Sequence, residues 1–182
     1  MMILVIGGSG SGKSSYAEDR IAEAFRENQK GGNLYYIATM KVYGEEGKQR
    51  VSKHRKMRDG KGFITIEQTE NLDMCIDKIS DNSKENYVLL ECMSNLAANE
   101  MFNESGAVPE DTVVEKIFDD VVKLKDNLEH LVIVSNNVFE DGCNYDEDTR
   151  AYIRALGRIN RKLAEIADEV IEVVAGIPLK IK

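Results

Sequence analysis

Residues 7–14 read Gly7-Gly8-Ser9-Gly10-Ser11-Gly12-Lys13-Ser14, which matches the phosphate-binding motif G-x-x-x-x-G-K-[ST] at every position. In such a loop the glycines let backbone N–H groups turn toward a phosphate, and a helix that starts beside Lys13 adds its positive end. The Lys13 ammonium is expected to reach the β- and γ-phosphates, and the Ser14 hydroxyl to bind Mg²⁺. A short apolar run precedes the loop and a helical apolar pattern follows it, so the sequence predicts a nucleoside triphosphate site here.

Predicted strands and helices alternate along the chain, which indicates an α/β fold, a mostly parallel sheet with helices on both faces. The predicted strands are residues 3–6, 34–38, 63–66, 87–90, 131–134, 170–174 and 179–181. The predicted helices are residues 14–28, 45–58, 72–79, 92–102, one that starts at Pro109, and a long one that ends near residue 167. The length of 182 residues and the lack of a long linker predict a single nucleotide-binding domain, residues 1–182.

Composition and charge exclude several classes of protein. The net charge of −8 and the sequence pI near 4.9 disfavour binding to nucleic acid over a broad surface. No apolar run approaches the ~20 residues of a membrane-spanning helix, so we expect no membrane insertion, and the apolar start is too short for a secretion signal. Cys75, Cys92 and Cys143 form no C-x-x-C pair, so neither a disulfide framework nor a zinc site is expected. A reducing, cytoplasmic location is therefore predicted.

Glu91 is the candidate for a second Mg²⁺ ligand beside Ser14. It comes directly after the apolar run 87–90, and the carboxyl ends of parallel strands are where ligand sites lie. The alternative interpretation is an acidic side chain that stabilises the N-terminus of the next helix. The strand-end position favours the metal.

A basic segment surrounds His54 in this acidic chain. If the segment is helical, Arg50, His54 and Arg58 follow at four-residue steps along one face. Two flanking guanidiniums would disfavour the imidazolium and lower the pKa of His54, leaving a neutral imidazole able to act as a nucleophile. The alternative is a solvated basic helix face on which His54 is incidental. For His130, the other histidine, we predict a position at a helix C-terminus.

Taken together, these motifs resemble the adenosylcobinamide kinase/adenosylcobinamide-phosphate guanylyltransferase family of cobalamin biosynthesis, over nearly the whole chain. Besides the phosphate loop, the resemblance rests on pieces in the same order along the sequence: Tyr16-Ala17-Glu18, Tyr36-Ile37-Ala38-Thr39, Arg50-Val51, His54-Arg55, Arg58, Phe63, Thr65, Glu67, Leu89-Leu90-Glu91-Cys92, Asn95-Leu96, Val134-Ser135-Asn136, Gly157-Arg158-Ile159-Asn160, Leu163-Ala164, Ala167-Asp168-Glu169-Val170 and Val174-Ala175-Gly176-Ile177-Pro178-Leu179.

The resemblance implies a RecA-like P-loop NTPase fold, a homotrimer and two activities. A kinase activity would phosphorylate adenosylcobinamide with ATP or GTP. A guanylyltransferase activity would then pass GMP from GTP, through a guanylylated His54, to give adenosylcobinamide-GDP. Lys13 would assist catalysis, and the resemblance places further nucleotide contacts at Ala38, Thr39, Arg55, Arg58, Glu67 and Glu91.

The chain also departs from the family pattern. Gly10 stands where the family has Arg, Gly44 lacks the expected acidic residue, Asn137 replaces Glu, and Arg161 replaces Gln. Two alternatives therefore stay open beside the bifunctional enzyme. One is a P-loop kinase of a small molecule without guanylyltransferase activity, and the other is a nucleotide-dependent regulatory switch.

Overall fold

The computed structural model describes residues 1–27, 31–41, 44, 58, 60–79, 85–103, 106–137 and 145–182. The elements in chain order are β1 (Met2–Gly7), α1 (Lys13–Glu27), β2 (Leu34–Ala38), β3 (Ile64–Glu67), a 3-10 helix (Leu72–Lys78), β4 (Tyr87–Glu91), α2 (Met93–Met101), β5 (Phe102–Asn103), β6 (Gly106–Ala107), α3 (Glu110–Asp126), β7 (His130–Asn136), α4 (Glu147–Ile166), β8 (Glu169–Val174) and β9 (Ile177–Lys180).

The main sheet has seven strands in the order β3-β2-β4-β7-β1-β8-β9. All neighbouring pairs are parallel except β8 with β9. One strand, β7, therefore separates the strand that leads into the phosphate loop from the strand that ends in Glu91. This order is that of a RecA-like P-loop fold, which confirms the predicted fold class.

Two apolar layers cover the sheet because its central strands are apolar on both sides. Helix α1 packs Ala17 and Ile21 on one face, against β1, β4, β7 and β8. Helices α2, α3 and α4 and the 3-10 helix pack on the other face, around residues such as Leu90 and Ile133. Both layers leave the carboxyl ends of β1, β2, β4 and β7 at one edge, which is where the phosphate loop, Ala38 and Glu91 lie.

Local sequence signals account for where the helices begin. Pro109 immediately precedes α3, and Glu110 and Asp111 lie in its first turn, where the positive end of the helix favours acidic side chains. Asp146 caps α4 by accepting a hydrogen bond of 2.7 Å from the backbone N–H of Thr149. No helix in the described ranges has the length and apolar character needed to cross a membrane.

Several predictions about single elements need correction. The segment predicted as a helix at 72–79 is a 3-10 helix, and the last strand starts at Ile177 and runs antiparallel to β8. The short β5–β6 hairpin was not predicted. His130 opens β7 instead of ending a helix, and its ring stacks on Tyr87 with centroids 4.6 Å apart. The predicted helix 45–58 lies outside the described residues except for Arg58.

Candidate active site

The phosphate loop connects β1 to α1 and lies open to solvent at Gly8, Ser9 and Gly10. The backbone N–H of Ser11 donates to the Gly8 carbonyl at 3.2 Å, which closes the turn. Gly12 has a φ of 91°, a value that glycine adopts without strain. The strand–loop–helix context predicted from the motif is therefore confirmed.

A contact far away in sequence holds the loop in place. The backbone N–H of Gly176, in the turn between β8 and β9, donates to the Ser11 carbonyl at 2.8 Å. A Cβ on Gly12 would lie 3.4 Å from the Gly176 Cα, so the two glycines pack backbone against backbone. The segment 174–179 forms part of the resemblance, but its support of the loop was not predicted.

Lys13 is 7% exposed, and its Nζ donates to the Gly8 carbonyl at 3.0 Å across the loop. Burial lowers the pKa of Lys13, while Cys92 and the nearby Glu91 act in the opposite direction. The ammonium thus lies inside the loop, at the position where the motif requires a cation for phosphate oxygens.

Ser14 and Glu91 meet at the mouth of the loop. The Ser14 hydroxyl donates to Glu91 Oε1, and Glu91 Oε2 is buried without a hydrogen-bond partner among the described residues. A hydroxyl and a carboxylate oxygen are hard donors of the kind that Mg²⁺ accepts beside phosphates. The described part of the chain contains no group of three His, Cys, Asp or Glu side chains that could hold a metal ion. A cation here would therefore depend on these two side chains together with nucleotide oxygens and water.

The register of the sheet brings three of the predicted residues onto neighbouring strands. Ala38, the last residue of β2, pairs with Glu67 of β3 on one side and with Glu91 of β4 on the other. Glu67 is exposed at this edge. The last residues of β2, β3 and β4 are therefore neighbours at one edge of the sheet, and their membership of one nucleotide site stays a prediction.

Thr39 fixes the end of β4 instead of pointing its hydroxyl into open space. It is fully buried, and its N–H donates to the Glu91 carbonyl at 3.0 Å. Its hydroxyl donates to the Cys92 carbonyl at 2.8 Å and accepts from the Cys92 N–H at 2.7 Å. The side chain of Thr39 therefore orients the backbone that carries Glu91.

The residues of a polar network beside Glu91 were not predicted as a group. Asn136, at the end of β7, donates through its amide to the Ser94 hydroxyl at 2.7 Å. The Ser94 hydroxyl also lies 3.0 Å from the Cys92 Sγ, and the Ser94 carbonyl accepts from the Tyr152 hydroxyl at 3.2 Å. Burial raises the pKa of Tyr152 to about 12, so its hydroxyl stays protonated. The available signal was that the apolar runs of β4 and β7 are both followed by polar residues.

The remaining predicted site residues belong to the basic segment. His54 and Arg55 lie outside the described residues, and Arg58 lies within them. Arg58 is buried, and its guanidinium carbon lies 3.4 Å from the centre of the Tyr36 ring. Arg58 therefore packs on β2, on the same face of the sheet as α1.

Comparison with known proteins gives full-length matches. A family model described as cobinamide kinase / cobinamide phosphate guanyltransferase matches residues 3–181. The chain is 31% identical to the bifunctional adenosylcobalamin biosynthesis protein CobU of Escherichia coli and 32% identical to that of Salmonella typhimurium, with all of each chain covered. It is 27% identical to the bifunctional adenosylcobalamin biosynthesis protein CobP of Pseudomonas aeruginosa, covering all of this chain and 98% of the relative.

Proposed function

Because this chain belongs to the cobinamide kinase / cobinamide phosphate guanyltransferase family, we propose that it carries out both of these reactions with one nucleotide-binding site. Membership makes the chain a transferase of adenosylcobalamin biosynthesis, with corrinoid and nucleotide substrates. We assign the nucleotide-binding site to residues 7–14 and Glu91. The observation that carries this assignment is the contact between the Ser14 hydroxyl and the Glu91 carboxylate at the mouth of the phosphate loop.

In the kinase reaction, the aminopropanol hydroxyl of adenosylcobinamide attacks the γ-phosphorus of ATP or GTP. The bond to the β-phosphate bridging oxygen breaks, the nucleoside diphosphate leaves, and the hydroxyl proton passes to solvent. The backbone of residues 7–14 would bind the phosphates, and Lys13 would move from the Gly8 carbonyl to the β- and γ-phosphates. Ordered donors of this kind stabilise the charge that develops in the transition state.

Mg²⁺ fits the two side chains at the mouth of the loop. The unpartnered Glu91 Oε2 and the Ser14 hydroxyl are the atoms that would hold it, together with phosphate oxygens. When bound, Mg²⁺ supplies positive charge against the phosphates. Thr39 keeps Glu91 in position by its hydrogen bonds to the C=O and the N–H of the Glu91–Cys92 peptide and to the Cys92 carbonyl.

In the guanylyltransferase reaction, a neutral His54 nitrogen attacks the α-phosphorus of GTP. A phosphorus–nitrogen bond forms, the bond to the β-phosphate breaks, and pyrophosphate leaves. A phosphate oxygen of adenosylcobinamide phosphate then takes the GMP group, which yields adenosylcobinamide-GDP and restores the imidazole. Ala38, Thr39, Arg55, Arg58 and Glu67 are the proposed nucleotide contacts, and the pairing of Ala38 with Glu67 at the edge of the sheet supports part of this set.

We also infer a single domain, a homotrimer and a cytoplasmic location. The exposed apolar side chains at the β8–β9 end of the sheet support association, since such a patch is typical of a contact surface: Val174, Ile177, Leu179 and Ile181 are 45–62% exposed. Cys75 and Cys92 are free thiols, as is usual in a reducing compartment.

Intact-mass measurement tests the proposal. The protein is incubated with GTP and Mg²⁺, with and without cobinamide phosphate. We expect a GMP-sized adduct that disappears when the acceptor is added. A folded preparation that binds GTP, phosphorylates cobinamide and forms no adduct would reduce the function to the kinase. A preparation that hydrolyses GTP at a rate unaffected by corrinoids would favour a regulatory switch.

A further inference from the structure

One amide side chain joins the loops after two strands to helix α2. Asn99 lies on α2 and is half-buried. Its Nδ2 donates to the Thr39 carbonyl at 2.8 Å and to the Thr69 carbonyl at 2.9 Å. Thr39 follows β2 and Thr69 lies in the loop after β3. A primary amide carries two N–H donors on one nitrogen, which is what two neighbouring carbonyl oxygens require.

The contacts of Asn99 begin where the hydrogen bonds between strands end. The carbonyl of Ala38, the last residue of β2, accepts from the Gln68 N–H at 3.0 Å on one side. The Thr39 N–H donates to the Glu91 carbonyl at 3.0 Å on the other side. The Thr39 carbonyl is the next along the chain, and it is the one that Asn99 binds. Helix α2 therefore continues, through Asn99, the support that β3 and β4 give to the end of β2.

The same contacts close a ring that contains Glu91. From Glu91 the chain passes through Cys92 directly into α2, which carries Asn99. The Cys92 carbonyl accepts from the Leu96 N–H at 3.2 Å in the first turn of that helix. Asn99 then binds Thr39, and the Thr39 hydroxyl binds both the N–H and the carbonyl of Cys92. Because each link is the chain itself or a hydrogen bond, the backbone at Glu91 turns only when one of these bonds breaks.

The direction of the Glu91 backbone decides where its carboxylate lies. Oε1 accepts from the Ser14 hydroxyl, and Oε2 is buried without a hydrogen-bond partner among the described residues. An unused buried carboxylate oxygen opposes stability, so the ring around Glu91 holds an arrangement that packing alone does not favour. Groups that orient a metal-binding carboxylate from behind affect metal affinity about as strongly as 10- to 100-fold.

We propose that Asn99 is a positioning residue for the kinase reaction: it fixes Thr39 and, through Thr39, the Glu91 carboxylate that would hold Mg²⁺ against the phosphates. The inference rests on the proposed function. Asn99 does not contact the nucleotide in this assignment. Its bond to the Thr69 carbonyl gives the amide a second fixed point, so a displacement of Thr39 has to move α2 or the loop after β3 as well.

The first test compares Asn99→Asp with Asn127→Asp in the full chain. Asn99→Asp keeps the shape of the side chain and replaces two donors by an oxygen that repels both carbonyls. Asn127 also donates through its amide to a backbone carbonyl, that of Lys123 at 2.9 Å, but it lies at the end of α3. The Mg²⁺ concentration for half of the maximal kinase rate, with ATP and cobinamide, should rise at least about tenfold in Asn99→Asp. It should be unchanged in Asn127→Asp, which adds the same charge.

Hydrogen exchange in the nucleotide-free protein gives a readout that does not depend on activity. The N–H groups of Thr39 and Cys92 donate within the ring, to the Glu91 carbonyl and to the Thr39 hydroxyl. Both should exchange about tenfold faster in Asn99→Asp, the effect of losing one typical hydrogen bond. The Asp168 N–H donates to the Met2 carbonyl at the opposite end of the sheet and should keep its rate. Equal acceleration at Asp168 would show a general loss of stability and would overturn the positioning role.

Thr39→Val tests the route from Asn99 to Glu91. It removes the hydroxyl that binds Cys92 and keeps the shape of the side chain. If Asn99 acts through Thr39, the Mg²⁺ requirement of Asn99→Ala combined with Thr39→Val should lie below the product of the two separate effects. Effects that multiply independently would overturn this route. Asn99→Ala, which removes both donors without adding a charge, also replaces Asn99→Asp if that variant does not fold.

The outcomes separate a failure of this inference from a failure of the proposed function. Mg²⁺ titrations of Asn99→Asp and Asn99→Ala that match the wild type would overturn the inference and leave the proposed function standing. A wild-type protein that binds nucleotide with Mg²⁺ and phosphorylates no cobinamide would show that the proposed function is wrong, and the inference would fall with it.

Discussion

Replacement of Gly7 by alanine should damage the phosphate loop through a steric conflict that can be calculated from the structure. A Cβ at this position would lie 2.6 Å from the Val173 carbonyl oxygen and 2.6 Å from the Ser11 Oγ. The Ser11 side chain can rotate away. The Val173 carbonyl belongs to β8, which is paired with β1, so the backbone itself has to move.

The expected size of the effect follows from the overlap. Ordinary contact begins at 3.4 Å, so β1 and β8 have to separate locally by about 0.8 Å. Overpacking of this kind costs about 2 kcal/mol, which corresponds to roughly 6 °C in the unfolding midpoint of a chain of this size. Because the displaced residue is the first of the phosphate loop, GTP affinity should fall by at least about tenfold.

Gly8→Ala is the matched control. A Cβ on Gly8 meets nothing within 4 Å, so the unfolding midpoint of the Gly8→Ala variant should stay close to that of the wild type. Thermal unfolding by circular dichroism and GTP binding by calorimetry measure the two effects separately. A Gly7→Ala variant that unfolds at the wild-type temperature and binds GTP normally would refute the steric reasoning.

Two more predictions concern the site and the opposite end of the sheet. Glu91→Gln should lower the Mg²⁺-dependent kinase rate by about 100-fold and raise the Mg²⁺ concentration required, because a charged oxygen beside Ser14 is lost; a kinase titration with Mg²⁺ that matches the wild type would contradict this. Burial, and then the charge of the chain N-terminus, lowers the pKa of His130 below 6.5 in the folded protein. As the pH drops below 6.5, the unfolded chain therefore binds a proton at His130 before the folded chain does, and the free energy of unfolding falls. His130→Phe, which keeps a ring against Tyr87, should lose less stability than the wild type between about pH 7.5 and about pH 5 in urea unfolding; parallel losses in the two proteins would contradict the assignment.

The parts of the fold that the sequence predicts are those fixed by local pattern. The motif at 7–14 requires a strand before it and a helix after it, and α1 begins at Lys13 as this requires. Glu91 was predicted at a strand end from the apolar run that precedes it, and it is the last residue of β4. Such signals depend on neighbours in the chain, so they can be read without knowledge of the tertiary structure.

The parts that could not be predicted depend on pairs that are distant in sequence. Nothing local to Ser11 indicates that Gly176 donates to its carbonyl. The interaction of the Thr39 hydroxyl with the Cys92 backbone likewise follows from the pairing of β2 with β4. The burial of Glu18 could not be predicted for another reason. An acidic residue in a helix is usually solvated, whereas Glu18 is 0% exposed and accepts a hydrogen bond from Lys61 Nζ.

Covalent labelling tests the central claim, that His54 accepts GMP from GTP, most directly. The chain has two histidines, so His130→Asn is a matched control for His54→Asn. With α-phosphorus-labelled GTP and Mg²⁺, we predict an acid-labile, base-stable label on the wild type and on His130→Asn, and none on His54→Asn. Equal labelling of a folded His54→Asn variant would contradict the account.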